Sequence, residues 1–131
     1  MLIVDASCLY EVVADGPDAE AVRRRLAEET DQAAPQLIDA EVLGLIRRDA
    51  LFGRLDATAA GQAIADLRDW PGERFGHRLL LDRAWSLRDN VRTWDALYVA
   101  LAEAMQATLI TRDRRLARAD GPTCHIDVVG G

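Results

Sequence analysis

Four carboxylates, Asp5, Glu41, Asp95 and Asp113, stand where an apolar core is expected. Asp5 closes the run Leu2-Ile3-Val4, and Asp113 lies just past Leu109-Ile110-Thr111. At helical spacing Glu41 shares a stripe with Leu37, Ile38 and Leu45, and Asp95 shares one with Tyr98, Val99 and Ala102. A buried carboxylate is costly unless something positive meets it. The chain has no lysine and no arginine patterned beside all four acids, so a divalent metal ion is the simplest common partner. Such a set suits phosphodiester hydrolysis. That reaction needs a hydroxide at neutral pH and relief for the charge developing on phosphate and leaving oxygen, and paired Mg²⁺ or Mn²⁺ ions ~4 Å apart supply both. Asp5, Asp95 and Asp113 have short side chains suited to direct coordination, while the longer Glu41 could serve a second ion or hold and activate a water. The hydroxyls of Ser7 and Thr111 could bond a water or orient a carboxylate.

Each acid also has a structural explanation. Asp113 ahead of Arg114 fits a helix N-cap, Asp95 fits the first-turn acid that complements a helix dipole, and Asp5 could cap the helix after the first strand. Glu41 resists such a reading, because a helix-interior Glu between Leu37 and Leu45 is seldom buried without a partner. His77 and His125 lack a helical H-x-x-x-H pairing and are expected as surface or satisfied core residues. Arg23 to Arg25, and the run Arg112, Arg114, Arg115 and Arg118, fit solvated faces; the second cluster borders Asp113 and could steer a phosphate backbone. Trp70, Trp85 and Trp94 are expected in the core or at an interface, since only seven aromatics serve the whole chain.

The elements that must position these residues alternate. Residues 2–6 form a short buried strand that passes directly into a helix over 7–14. A break at Asp15-Gly16-Pro17-Asp18 precedes an amphipathic helix over 19–29. Ala33-Ala34 is a minimal strand before Pro35, followed by long helices over 37–52, stopped at Gly53, and over 57–70, stopped at Pro71-Gly72. Residues 73–77 suggest a weak strand, 80–87 a short helix, and 94–105 a strong helix with Thr93 as N-cap. A strand over 108–111, a short helix over 114–119 and a last strand over 125–129 complete the pattern. Strands alternating with helices specify an α/β fold, a parallel sheet covered on both faces. Ligands bind such a sheet at the carboxyl ends of its strands, which is where Asp5 and Asp113 fall.

A chain of 131 residues, 50% hydrophobic, suits one domain spanning residues 1–131. The net charge of −6 and pI near 4.8 would ordinarily argue against a nucleic-acid partner. Bound metal would cancel part of that charge, and all 16 cationic residues are arginine, the better fork for phosphate. Cys8 and Cys124 have neither zinc-site nor disulfide-framework spacing, which points to a reduced, cytoplasmic setting. No run approaches the ~20 apolar residues that span a bilayer, and no export signal is visible, so no membrane association is expected.

Four motifs in order resemble the PIN-domain ribonucleases, in particular VapC-like toxins of type II toxin-antitoxin systems. They are Leu2-Ile3-Val4-Asp5-Ala6-Ser7, Pro35-x-Leu37-x-x-x-Glu41, Thr93-Trp94-Asp95-Ala96-Leu97-Tyr98 continuing to Glu103, and Leu109-Ile110-Thr111-Arg112-Asp113-x-x-Leu116. The resemblance runs the length of the chain with family-like spacing. It implies a PIN-like fold, Mg²⁺- or Mn²⁺-dependent endoribonuclease activity at Asp5, Glu41, Asp95 and Asp113 with Ser7 and Thr111 in support, a homodimer, and a cognate VapB-like antitoxin. Leu9, Tyr10, Val13, Val42 and Ile46 are the expected lining of an antitoxin groove. Two rivals remain. A receiver-like or dehalogenase-like phosphoacceptor domain would rely on an active-site lysine, which is lacking; a non-catalytic PIN-like module binding RNA or protein is opposed by the intact acids.

Overall fold

Leu2, Ile3 and Val4 are fully buried, which a strand achieves when strands flank both its edges and helices cover both its faces. The computed structural model describes residues 1–130 and makes this strand, β1 (Leu2–Val4), the centre of a sheet. β2 (Gln32–Pro35) and β4 (Thr108–Thr111) pair beside it, with β3 (Glu73–Phe75) and β5 (Ile126–Val128) at the edges, in the order β3-β2-β1-β4-β5 with every pair parallel. Ile3 aligns with Ala33 on one side and Leu109 on the other. Seven α-helices flank the sheet: α1 (Ala6–Val13), α2 (Ala19–Ala27), α3 (Leu37–Leu51), α4 (Ala57–Asp69), α5 (Leu81–Ser86), α6 (Thr93–Ala104) and α7 (Arg114–Arg118). None is long and apolar enough to cross a membrane.

Every residue of α6 from Ala96 to Ala102 is buried, so this helix is apolar all round and belongs to the core. Parallel strands require the helices between them to run back across the sheet. The first turns of α1, α3, α6 and α7 therefore share one edge with the carboxyl ends of β1, β2 and β4. Asp5, Asp95 and Asp113 lie in those turns or in the residues leading into them, and Glu41 follows at the start of the second turn of α3.

Several local expectations are corrected. Strand β1 ends at Val4, and a single residue, Asp5, separates it from α1. Helix α6 starts at Thr93, so Arg92, in extended conformation, occupies the N-cap and no side chain caps the helix. The segment expected as one helix over 80–87 is a 3₁₀ turn, Arg78–Leu80, followed by α5. Arg25 is not a solvated residue: its guanidinium pairs with Glu28 at 3.0 Å and with Asp127 of β5 at 2.9 Å. Trp70 is core, whereas Trp85 and Trp94 are 68% and 60% exposed. The expectation of a satisfied His77 holds, its Nε2 accepting the Leu37 amide of α3 at 3.1 Å. Leu9, Val13, Val42 and Ile46 lie in the hydrophobic core and line no open groove, and the Tyr10 hydroxyl donates to Asp49.

Candidate functional site

Asp5 takes the N-cap position of α1 without capping it. Its Oδ2 instead accepts hydrogen bonds from Ser7 Oγ at 3.0 Å and Thr111 Oγ1 at 2.7 Å. Both hydroxyls are held in turn by the segment after β4: the Arg112 amide donates to Ser7 Oγ and the Asp113 amide to Thr111 Oγ1, each at 3.1 Å. Two neighbouring strands thus aim one carboxylate. It is only 7% exposed, and burial pushes its pKa above the ordinary value; the Thr111 and Ser7 bonds oppose that rise and the charge of Asp95 adds to it.

Glu41 lies in the second turn of α3, half-buried, where Tyr98 of α6 donates to its Oε1 at 2.9 Å. Burial raises its pKa to about 7 against the Tyr98 bond, with the charges of Asp5 and Asp95 contributing. Asp95 is the third residue of α6 and is also raised by burial; Arg92 opposes the rise and Asp113 adds to it. Arg92 touches Asp95 Oδ2 at 3.4 Å. Asp113 caps α7, its Oδ1 accepting the Arg115 amide at 2.9 Å, and the Arg115 Nε lies 3.6 Å from the same oxygen.

Three of the acids interact mutually at the sheet edge, and Asp113 joins them through Asp95. Glu41 feels Asp5 and Asp95, Asp5 feels Asp95, and Asp95 feels Asp113. Asp95 and Asp113 also line one cavity of about 240 Å³. The four do not close into a cage: among the described residues, no three His, Cys, Asp or Glu side chains are grouped so as to hold a metal ion. Two of the four meet arginines, Asp95 with Arg92 and Asp113 with Arg115, whereas Asp5 and Glu41 are met, among the described residues, by neutral groups: the Ser7 and Thr111 hydroxyls and the Ala6 amide at Asp5, and the Tyr98 hydroxyl at Glu41.

Sequence reasoning missed two supporting residues. Tyr98 was placed on the Asp95 stripe, and a fully buried phenol needs a polar partner, so its bond to Glu41 had a signal. Arg112 was read as surface, but its guanidinium pairs with Glu11 at 3.2 Å and with Asp18. Glu11 carried no signal, because it falls on a helix otherwise read for its apolar face.

An all-parallel sheet with carboxylates gathered at its C-terminal edge defines an α/β domain suited to binding cations or phosphates. A profile of the PIN domain matches residues 2–122. Ribonuclease VapC3 of Mycobacterium tuberculosis is 44% identical over 125 residues, covering 95% of this chain and 90% of that protein. Ribonuclease VapC1 of the same organism is 38% identical over 128 residues, covering 97% and 96%. Among solved structures, VapBC2 from Rickettsia felis, bound to a DNA fragment from their promoter, superposes with TM-score 0.72 at 15% identity over 98% of both chains. FitAcB from Neisseria gonorrhoeae does so with TM-score 0.69 at 16% identity over 96% of both. The last two are likenesses of fold. The chain belongs to the PIN-domain family, in the branch of the VapC proteins.

Proposed function

We propose that this chain is a metal-dependent endoribonuclease, the toxin of a VapBC-like pair, acting in the cytoplasm as a homodimer and neutralised by a VapB-like antitoxin. The observation that carries the reading is Asp5: a carboxylate buried at the sheet edge, aimed by two hydroxyls, beside two further acids and without a cation of its own. Relatives at 38% and 44% identity are named ribonucleases, and neighbours of the same fold are toxin-antitoxin structures.

The donor set consists wholly of oxygen, which fits Mg²⁺ or Mn²⁺. Asp5, Asp95 and Asp113 would hold the metal, with Glu41 at a second ion or at the attacking water. Bound there, the metal supplies charge relief at the phosphate and an acidified water. The chain supplies position and proton transfer. Ser7 and Thr111 occupy Asp5 Oδ2, and Oδ1 would face the metal. Tyr98 occupies Glu41 Oε1, and Oε2 would take the proton from water. A carboxyl with a pKa of about 7 is matched to that task at neutral pH. In-line attack then leaves a 3′-hydroxyl and a 5′-phosphate.

Cleavage of total cellular RNA by antitoxin-free protein in Mg²⁺, Mn²⁺ or chelator tests the reading, with Asp95→Asn alongside. Discrete fragments that need metal and vanish in the variant are expected. Metal-independent RNA binding with no cleavage by the wild type would move the non-catalytic binding module ahead. Exposed Trp85 and Trp94 support the dimer. Light scattering at micromolar concentration should give twice the 14.4 kDa chain mass; a monomer there removes that part of the proposal.

A further inference from the structure

The cavity shared by Asp95 and Asp113 is lined by neither Asp5 nor Glu41. Its floor is apolar, made by Val91, Leu116 and Ala119, and its rim carries Asn90, Arg92 and Arg115. At about 240 Å³ it is smaller than the ~300–1,000 Å³ pockets that take drug-sized ligands. Its size suits a single base rather than a whole nucleotide chain. The rim chemistry is specific. Arg92 and Arg115 have side chains 76% and 87% exposed, and each meets only the edge of one carboxylate, at 3.4 and 3.6 Å. A guanidinium has five N–H donors in a fork suited to phosphate, so most of theirs remain free. Asn90 follows the last turn of α5 and is exposed; among the described residues its side-chain amide has no partner. An amide offers a donor and an acceptor side by side, the pairing that reads a base edge. Sequence-specific recognition of single-stranded RNA uses this combination of an apolar face for the base, polar groups for its edge and cations for its backbone.

Resting on the nuclease reading above, we propose that this cavity is a nucleotide-specificity subsite: it takes the base of a nucleotide adjoining the scissile phosphate, Asn90 reads that base's edge, and Arg92 and Arg115 hold the flanking phosphates. The carboxylates place the cut, and this pocket selects where along the strand it falls.

The test uses the full chain. A randomised single-stranded RNA is cut in Mg²⁺ by the wild type, Asn90→Ala, Asn90→Asp and Arg115→Ala, with Arg24→Ala on the exposed face of α2 as a charge control, and the new ends are sequenced. In parallel, fluorescein-labelled oligo(A), oligo(C) and oligo(U) are titrated in chelator and followed by anisotropy. Asn90→Ala is expected to change base preference at one position beside the cut by about tenfold and to leave the other positions as in the wild type. Arg115→Ala is expected to weaken all three oligonucleotides alike and lower the salt slope by about one; Arg24→Ala should do neither. Wild-type preference retained at every position by both Asn90 variants overturns the proposal. If the wild type cuts nothing, the nuclease reading falls and the anisotropy decides. Discrimination among the oligonucleotides that Asn90→Ala loses then supports the pocket, and equal affinities in both proteins overturn it. Variants that alter antitoxin affinity but no RNA parameter make the cavity a peptide site and overturn it equally.

Discussion

Glu41 is the residue on which the chemistry and the stability of this fold pull apart. Its folded-state pKa of about 7 lies above the 4.5 of an unperturbed Glu, so the native chain holds a proton that the unfolded chain has already lost between those values. Stability from this group is complete below pH 4.5, falls as pH rises, and is gone above about 7. Asp5 and Asp95 are raised as well and act in the same direction. In chelator the protein should therefore be less stable at pH 8 than at pH 5. Glu41→Gln keeps a Tyr98 partner without the charge. It should stabilise the metal-free chain at pH 8, from a ceiling of roughly 3 kcal/mol cut by solvent screening to about 1 kcal/mol, and should have little effect near pH 4.5 while abolishing cleavage. Denaturant melts at the two pH values decide this. Equal destabilisation at both would show that the carboxylate is a structural partner of Tyr98 and not a strained charge.

At the scale of elements, the site depends on how the segment after β4 is anchored to α1. Arg112 supplies the anchor: its amide fixes Ser7, and its guanidinium is held by Glu11 on α1 and by Asp18 at the start of α2. Glu11 is 6% exposed and folds across Gly16, where a Cβ would lie 2.3 Å from its Oε1. Removing the cation leaves a buried carboxylate uncompensated. Arg112→Ala should cost about 3 kcal/mol, and a double-mutant cycle with Glu11→Ala should show coupling of about 2 kcal/mol; additive single effects would make the pair incidental. This anchor was not legible in the sequence, because an arginine in a run of arginines looks solvated until the fold brings α1 beneath it. The helices and strands were largely legible from apolar period, and so were the separate positions of the four acids along the chain. The hand-over points were not. Thr93 is a good cap by type, yet the backbone turns helical one residue earlier and leaves Arg92 at the cap. Residues 78–87 hold one apolar stripe through both a 3₁₀ turn and α5, which periodicity alone does not divide. Likewise, an apolar stripe on α1 and α3 describes a core face and a docking groove equally well, and here the sheet takes it for the core.

For the whole molecule, a net charge of −6 works against RNA binding, and part of the negative charge is concentrated at the sheet edge where the proposed site lies. Bound divalent metal would address both the self-repulsion of those acids and the repulsion of substrate. This makes global stability a readout of the site that does not depend on finding the right RNA. A ligand that binds only the folded chain stabilises it by RT ln(1 + [L]/Kd); for 10 mM Mg²⁺ and a Kd of about 1 mM that is roughly 1.4 kcal/mol, or a Tm rise of about 5 °C for a domain of this size. The rise should be greater at pH 8 than at pH 6, because at pH 6 the metal must displace the proton that burial holds on Glu41, whose pKa is about 7. It should shrink in Asp5→Asn and be absent when Mg²⁺ is replaced by NaCl of equal ionic strength. A rise of the same size in NaCl would mean that salt merely screens the acids. A full rise in Asp5→Asn would place the metal elsewhere on the surface, and the four carboxylates would then have to be explained without it.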